Sequence, residues 1–272
     1  MSFAPSIAIL SLVQATLVAL PARRSLPFAV RLESRWWAVV LPGSIVVVIT
    51  GIALVPELAD ALTYLALVAV PILAALALAW GMHGARIGLA VLPIPLFALA
   101  WAIPETLTGE AAALALSALA CVALGTLIAA VVPVRWLRLG IYAMAIVDAC
   151  LVTGDLLQSP NAVLNAAAPA ASLPQLQFAH FGDAVLGFGD LFVAAVLGAM
   201  LAGERQLQLR ATGVAACLAL AFDLLFFFVS ELPATVPIAL TLAVLELSAR
   251  HRPVSDSASR PLAPSGPRGA AA

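Results

Sequence analysis

The sequence predicts an all-α membrane protein, a bundle of about nine transmembrane helices. Three observations carry this. Hydrophobic residues make up 64% of the chain and charged residues 10%, for a mean hydropathy of +1.11. About nine apolar stretches, each near the ~20 residues a helix needs to cross the hydrocarbon core, follow one another with short polar connections. All 13 basic residues are arginines, and they fall only in alternate connections.

The expected spans run 3–20, 36–55, 61–80, 87–103, 111–132, 139–157, 178–202, 211–229 and 233–247. The first has no positive residue ahead of its apolar core, so it reads as a retained span and not as a cleaved secretory leader. The fourth carries Pro93 and Pro95, which a spanning helix tolerates where neighbours satisfy the freed carbonyls. The sixth and seventh are joined by a long connection, 158–177, that holds Pro160, Pro169 and Pro174 and reads as flexible backbone or an exterior loop. Residues 1–249 are expected to form the membrane domain. Residues 250–272, rich in Pro, Ser, Ala and Gly, hold too little apolar surface to fold and are expected to be a disordered cytoplasmic tail.

Orientation follows from the arginines, since cytoplasmic connections are enriched in positive residues. Arg23, Arg24, Arg31 and Arg35 follow span one, Arg86 span three, Arg135 and Arg138 span five, Arg205 and Arg210 span seven, and Arg250, Arg252, Arg260 and Arg268 lie in the tail. The intervening connections carry Glu57 and Asp60, Glu105 and Glu110, then Glu231, and no arginine. The N-terminus is therefore expected outside and the C-terminus in the cytoplasm, in a multi-pass protein of a bacterial-type cell membrane.

The net charge of -1 gives no basic patch that would point to nucleic acid. Cys121, Cys150 and Cys217 match no zinc or disulfide framework and read as small packing residues; no metal or cofactor is expected. The chemistry lies in acids inside apolar segments. A carboxylate at bilayer depth costs about 2.5 to 3.5 kcal/mol on insertion scales, so Asp148 and Asp190 ask for a function. Asp148 lies ten residues beyond Arg138 and Asp190 eleven before Leu201, which at 1.5 Å per residue puts both roughly 15 Å from the cytoplasmic edge. Side by side in a low-dielectric site, two carboxylates share one proton and titrate as a pair. The ionised member can take a proton from water attacking a peptide carbonyl while the protonated member hydrogen-bonds to the carbonyl oxygen.

Asp190 closes the run Gly187-Phe188-Gly189-Asp190, and the ninth span opens on Pro233-Ala234-Thr235. With an aspartate in span six, a GxGD run in span seven and a Pro-Ala-Leu-type run at span nine, the chain resembles the intramembrane aspartyl proteases that include presenilin and signal peptide peptidase. The resemblance covers most of the chain. It implies a presenilin-like nine-span fold and a catalytic dyad of Asp148 and Asp190. It also implies that Gly187, Phe188, Gly189, Pro233, Ala234 and Thr235 shape the site and hold substrate. The implied reaction is hydrolysis of peptide bonds within single-span membrane proteins or remnant signal peptides. The outside N-terminus is similar to signal peptide peptidase and opposite to presenilin, which implies substrates whose N-termini face the cytoplasm.

Two positions depart from the family pattern. The tyrosine that usually precedes the first aspartate is Val147, and the leucine of the third motif is Thr235, exchanging an apolar contact for a hydroxyl. Gly187 and Gly189 read as places where another backbone approaches closely, or as ordinary helix packing. Asp155 and Asp183 sit nearer the outer edge, and His180 reads as interfacial. Asp223, mid-span in the eighth stretch, has no role in a protease. A type IV prepilin peptidase also resembles the chain in its GxGD aspartate, but that family usually follows it closely with a lysine, where this chain has Leu191-Phe192-Val193. A proton-coupled transporter using Asp148, Asp190 and Asp223, and a catalytically inert scaffold, are the other open readings.

Overall fold

The computed structural model describes residues 3–25, 37–55, 57–154, 156, 162–163, 173–229 and 231–250. Among them the chain is mostly helical: α1 (Phe3–Ala19), α2 (Trp37–Leu54), α3 (Glu57–Leu76), α4 (Pro93–Ala102), α5 (Leu107–Val131), α6 (Val134–Thr153), α7 (Phe188–Leu201), α8 (Arg205–Asp223) and α9 (Val236–Arg250). A hairpin of β1 (Phe178–Phe181) and β2 (Ala184–Gly187) precedes α7. Helix α3 continues as a π-helical turn, Ala77–Gly81, and α8 as a 3-10 turn, Leu224–Phe227. Of the expected tail, Arg250 ends α9, and 251–272 lie outside the described residues, as do Asp155, Pro160 and Pro169.

Among the described residues four helices are long and apolar enough to cross a membrane, Glu57–Gly81, Leu107–Val131, Val134–Thr153 and Arg205–Phe227, and Phe3–Ala19, Ile87–Ala102 and Phe188–Leu201 are shorter apolar helices. The chain is a membrane protein with several such helices. Val68 on α3, Ile94 on α4 and Ile146 on α6 turn outward, 62–68% exposed, as side chains that face lipid do.

Local chemistry sets the helix limits. The Thr106 hydroxyl accepts from the Gly109 N–H at 3.2 Å and caps α5, whose first turn carries Glu110. Pro133 ends the run between α5 and α6. Pro93 opens α4, where its missing N–H is one that no helix would pair.

The core centres on α7. Leu191 and Val193 to Leu197 are fully buried on every side of the helix, the pattern of a helix enclosed by others. It packs most extensively against α5 and next against α1. Two glycines permit these crossings. A Cβ on Gly125 of α5 would lie 2.8 Å from the Ala195 carbonyl carbon, and one on Gly198 of α7 would collide with the Val18 carbonyl of α1.

The chain is mostly helical, as expected, with one added β-hairpin. The seventh span, however, is not one helix over 178–202. Its first ten residues form the hairpin, leaving α7 with 14 residues. The reason is local. Gly182, at φ +58°, supplies the left-handed backbone of a two-residue turn between paired Phe181 and Ala184. Alternate burial of Ala184 and Leu186 is a strand period. The turn's backbone is also satisfied from the helices: the Gly182 N–H donates to Glu110 Oε2 at 2.7 Å and the Asp183 N–H to Ser6 Oγ at 3.3 Å. Irregular backbone is tolerated in a membrane where protein meets its hydrogen bonds. The ninth helix also begins later than expected, at Val236, because Pro233 to Thr235 forms the turn that leads into it.

Candidate active site

Asp148 lies on α6, 9% exposed, one turn beyond Ala145 and beside Ala149. Its carboxylate meets the turn before α9: Oδ2 accepts from the Thr235 hydroxyl at 2.6 Å and from the Thr235 N–H at 3.3 Å. Thr235 is fully buried. The Thr235 side chain thus gives Asp148 a short hydroxyl hydrogen bond.

Asp190 is the third residue of α7. Gly187 caps this helix, and its N–H donates to Asp190 Oδ2 at 3.1 Å, the reciprocal half of a capping box. The helix start also offers a positive dipole end to a carboxylate. The expected close approach at Gly187 is therefore of a different kind. The atom nearest a Cβ built there is Asp190 Oδ2, at 2.9 Å, and not the backbone of another helix. Asp148 and Asp190 stand close enough to act on each other electrostatically.

Other helices complete the site. Gln14 of α1, 2% exposed, donates from Nε2 to the Asp190 carbonyl at 3.1 Å and to the Ala234 carbonyl at 2.9 Å. Cys121 of α5, fully buried, reaches the Phe188 carbonyl with its sulfur at 3.7 Å and stands in the field of Asp190. The Pro233 carbonyl accepts from the Val236 N–H at 3.1 Å and closes the turn into α9. The structure therefore gathers Asp148, Asp190, Gly187, Phe188, Ala234 and Thr235, with Gly189 in the first turn of α7 between them.

Beside Asp148 a cavity of about 290 Å³ opens between α6 and α9, lined by Ala145, Ile146 and Ala149 on one helix and Val236, Ala239 and Ala243 on the other. Away from the acids, the Tyr142 hydroxyl donates to Glu246 Oε2 at 3.1 Å and Arg138 lies 3.7 Å from Glu246 Oε1, joining the same two helices.

The remaining polar residues stand apart. His180 Nδ1 lies 3.5 Å from Glu110 Oε1 at the hairpin, and Asp183 is in its turn. Asp223 accepts from the Ser11 hydroxyl at 3.1 Å, and its other oxygen is buried without a hydrogen-bond partner. Of the three cysteines only Cys121 is a packing residue; Cys150 and Cys217 are exposed. No group of three or more His, Cys, Asp or Glu among the described residues could hold a metal. Sequence reading missed Gln14. Its signal was present: a lone amide midway along an apolar helix has to find partners inside the protein.

Comparison with protein-family models, with curated proteins and with solved structures gives no match.

Proposed function

We propose that the chain is an intramembrane aspartyl endopeptidase, a nine-span, presenilin-like protein with an outside N-terminus. In this reading Asp148 and Asp190 hydrolyse peptide bonds within transmembrane helices or remnant signal peptides. The observation that carries the proposal is the pairing of these two acids across α6 and α7, with the Ala234-Thr235 turn bonded to Asp148 and, through Gln14, to Asp190. A purely structural acid in a membrane interior would be paired with a base or fully satisfied, whereas here two acids lie within electrostatic reach of one another.

The reaction follows from one proton shared by two carboxylates. The ionised member takes a proton from a water molecule as its oxygen bonds to the peptide carbonyl carbon, and the protonated member gives its proton to the carbonyl oxygen, leaving a neutral gem-diol. A carboxylate then takes a diol proton while the other acid protonates the amide nitrogen. The C–N bond breaks to a carboxylic acid and an amine, and the pair again holds one proton. No cofactor enters this balance. The apolar cavity between α6 and α9 supports the reading, because the helix that carries Asp148 lines it through Ala145 and Ala149.

The test is reconstitution of the purified protein with model single-span peptides, repeated with Asp148→Ala and Asp190→Ala. Each substitution is expected to abolish cleavage; cleavage that survives either one removes the dyad. Proton flux abolished by Asp223→Asn, with no peptide cut, would replace the reading by transport.

A further inference from the structure

We infer that Gln14 is a positioning residue of the dyad, holding Asp148 and Asp190 in register from a third helix, an inference that rests on the endopeptidase reading. The two hydrogens of one side-chain amide are both committed, one to the Asp190 carbonyl at 3.1 Å and one to the Ala234 carbonyl at 2.9 Å. The second of these carbonyls belongs to the peptide unit whose N–H is that of Thr235. That N–H donates to Asp148 Oδ2 at 3.3 Å.

A single rigid peptide plane therefore lies between Gln14 and Asp148. Resonance keeps its C=O and N–H coplanar and opposed, so fixing the oxygen on one side fixes the direction of the N–H on the other. Thr235 also places its hydroxyl on the same carboxylate oxygen, 2.6 Å away, and the tilt of this plane sets where that hydroxyl points. Gln14 thus links Asp190, through its own carbonyl, to Asp148, through one peptide plane and one side chain.

The sequence context argues against simple packing. Gln14 lies between Leu10 and Leu17 on α1, both fully buried, and a leucine would suit such surroundings without the desolvation cost of an amide. What leucine lacks is the pair of donors. Glutamine also matches the two gaps by length, because asparagine is one methylene shorter and its amide would not span from α1 to both carbonyls.

The experiment compares the full-length wild-type protein with Gln14→Leu and Gln14→Asn in lipid vesicles by two independent readouts. Amide hydrogen exchange over 232–236 reads the peptide plane itself. Both variants are expected to speed it severalfold while exchange in α5 stays at the wild-type rate. Cleavage of a model single-span peptide reads the consequence. The rate constant kcat is expected to fall about 10- to 100-fold, the scale of an ångström-level misplacement, with KM little changed. Unchanged exchange at 232–236, or faster exchange throughout α1, α5 and α7, overturns the inference, as does a local change in exchange that leaves kcat intact. If the wild-type protein cuts no peptide, the endopeptidase reading falls. Exchange still decides whether Gln14 holds the plane, and with no reaction to serve, its part in catalysis is overturned with it.

Discussion

The Thr235 hydroxyl donates to Asp148 Oδ2 at 2.6 Å, the shorter of two bonds that this one residue makes to the same carboxylate oxygen. An O–H donor at that distance from a carboxylate is a charge-assisted bond, and such bonds contribute about 1.5–3 kcal/mol. The hydroxyl holds the carboxylate through Oδ2, the oxygen that also accepts from the Thr235 N–H.

Removal of that hydroxyl alone is the cleanest test of its part. Thr235→Val keeps the shape and the backbone N–H, so the turn before α9 should survive. The cleavage rate is expected to fall about tenfold or more, each factor of ten corresponding to about 1.4 kcal/mol of barrier. Thr235→Ser keeps the donor and should retain most of the activity. Steady-state kinetics on the two variants side by side checks this, and equal losses in both would show that the β-methyl and not the hydroxyl matters.

Gly187→Ala separates geometry from stability. Gly187 has φ -63° and ψ 144°, ordinary for any residue, so an alanine there strains no backbone. Its Cβ would lie 2.9 Å from Asp190 Oδ2, the end of a side chain that can rotate away by giving up its one bond from the Gly187 N–H. Thermal unfolding should therefore shift little. Displacing the carboxylate should lower kcat by about 100-fold, and a large drop in Tm with unchanged kcat would contradict the assignment.

The hairpin offers a third test. Glu110, in the first turn of α5, accepts the Gly182 N–H at 2.7 Å and lies 3.5 Å from His180. Glu110→Ala leaves a turn N–H without its acceptor, at a cost of about 1–3 kcal/mol. Faster amide exchange across 178–187 is the expected result, with activity reduced because β2 runs directly into the Gly187 cap. Unaltered exchange in the hairpin would make the Glu110 bond incidental.

How much of this was legible in the residues alone differs between elements. Hydropathy located the helices and the two acids, because a carboxylate in an apolar run is visible against its background. It misplaced the start of α7. The stretch 178–187 adjoins the apolar run of α7, and Gly182 and the alternation of Ala184 and Leu186 mark it as strand. The site's third support was unreadable for a different reason. Gln14 precedes Asp190 by 176 residues and Ala234 by 220, so no spacing rule connects them. Thr235 was read as a hydroxyl in place of an apolar contact and as a residue that holds substrate, but its bond to Asp148 was not, since the sequence does not say which way a turn residue faces. In place of a second backbone beside Gly187, the structure puts the Asp190 carboxylate.

The last prediction concerns α7 as a rigid mount. Gly125 of α5 touches the Ala195 backbone so closely that a Cβ would stand 2.8 Å from the carbonyl carbon and 2.9 Å from its oxygen. Neither atom can rotate away, so Gly125→Ala must push the two helices apart, and overpacking of this kind costs about 1–3 kcal/mol. Gly213 on α8 is the control, for nothing lies within 4 Å of a Cβ built there. Gly213→Ala should be neutral or stabilising by about 0.5–1 kcal/mol through helix propensity alone. Thermal unfolding of both variants in one detergent should therefore move in opposite directions. The Gly125→Ala protein should also lose cleavage activity well below its new Tm, because the helix that shifts is the one that carries Asp190. A Gly125→Ala protein as stable and as active as wild type would mean that α5 and α7 approach less closely than described.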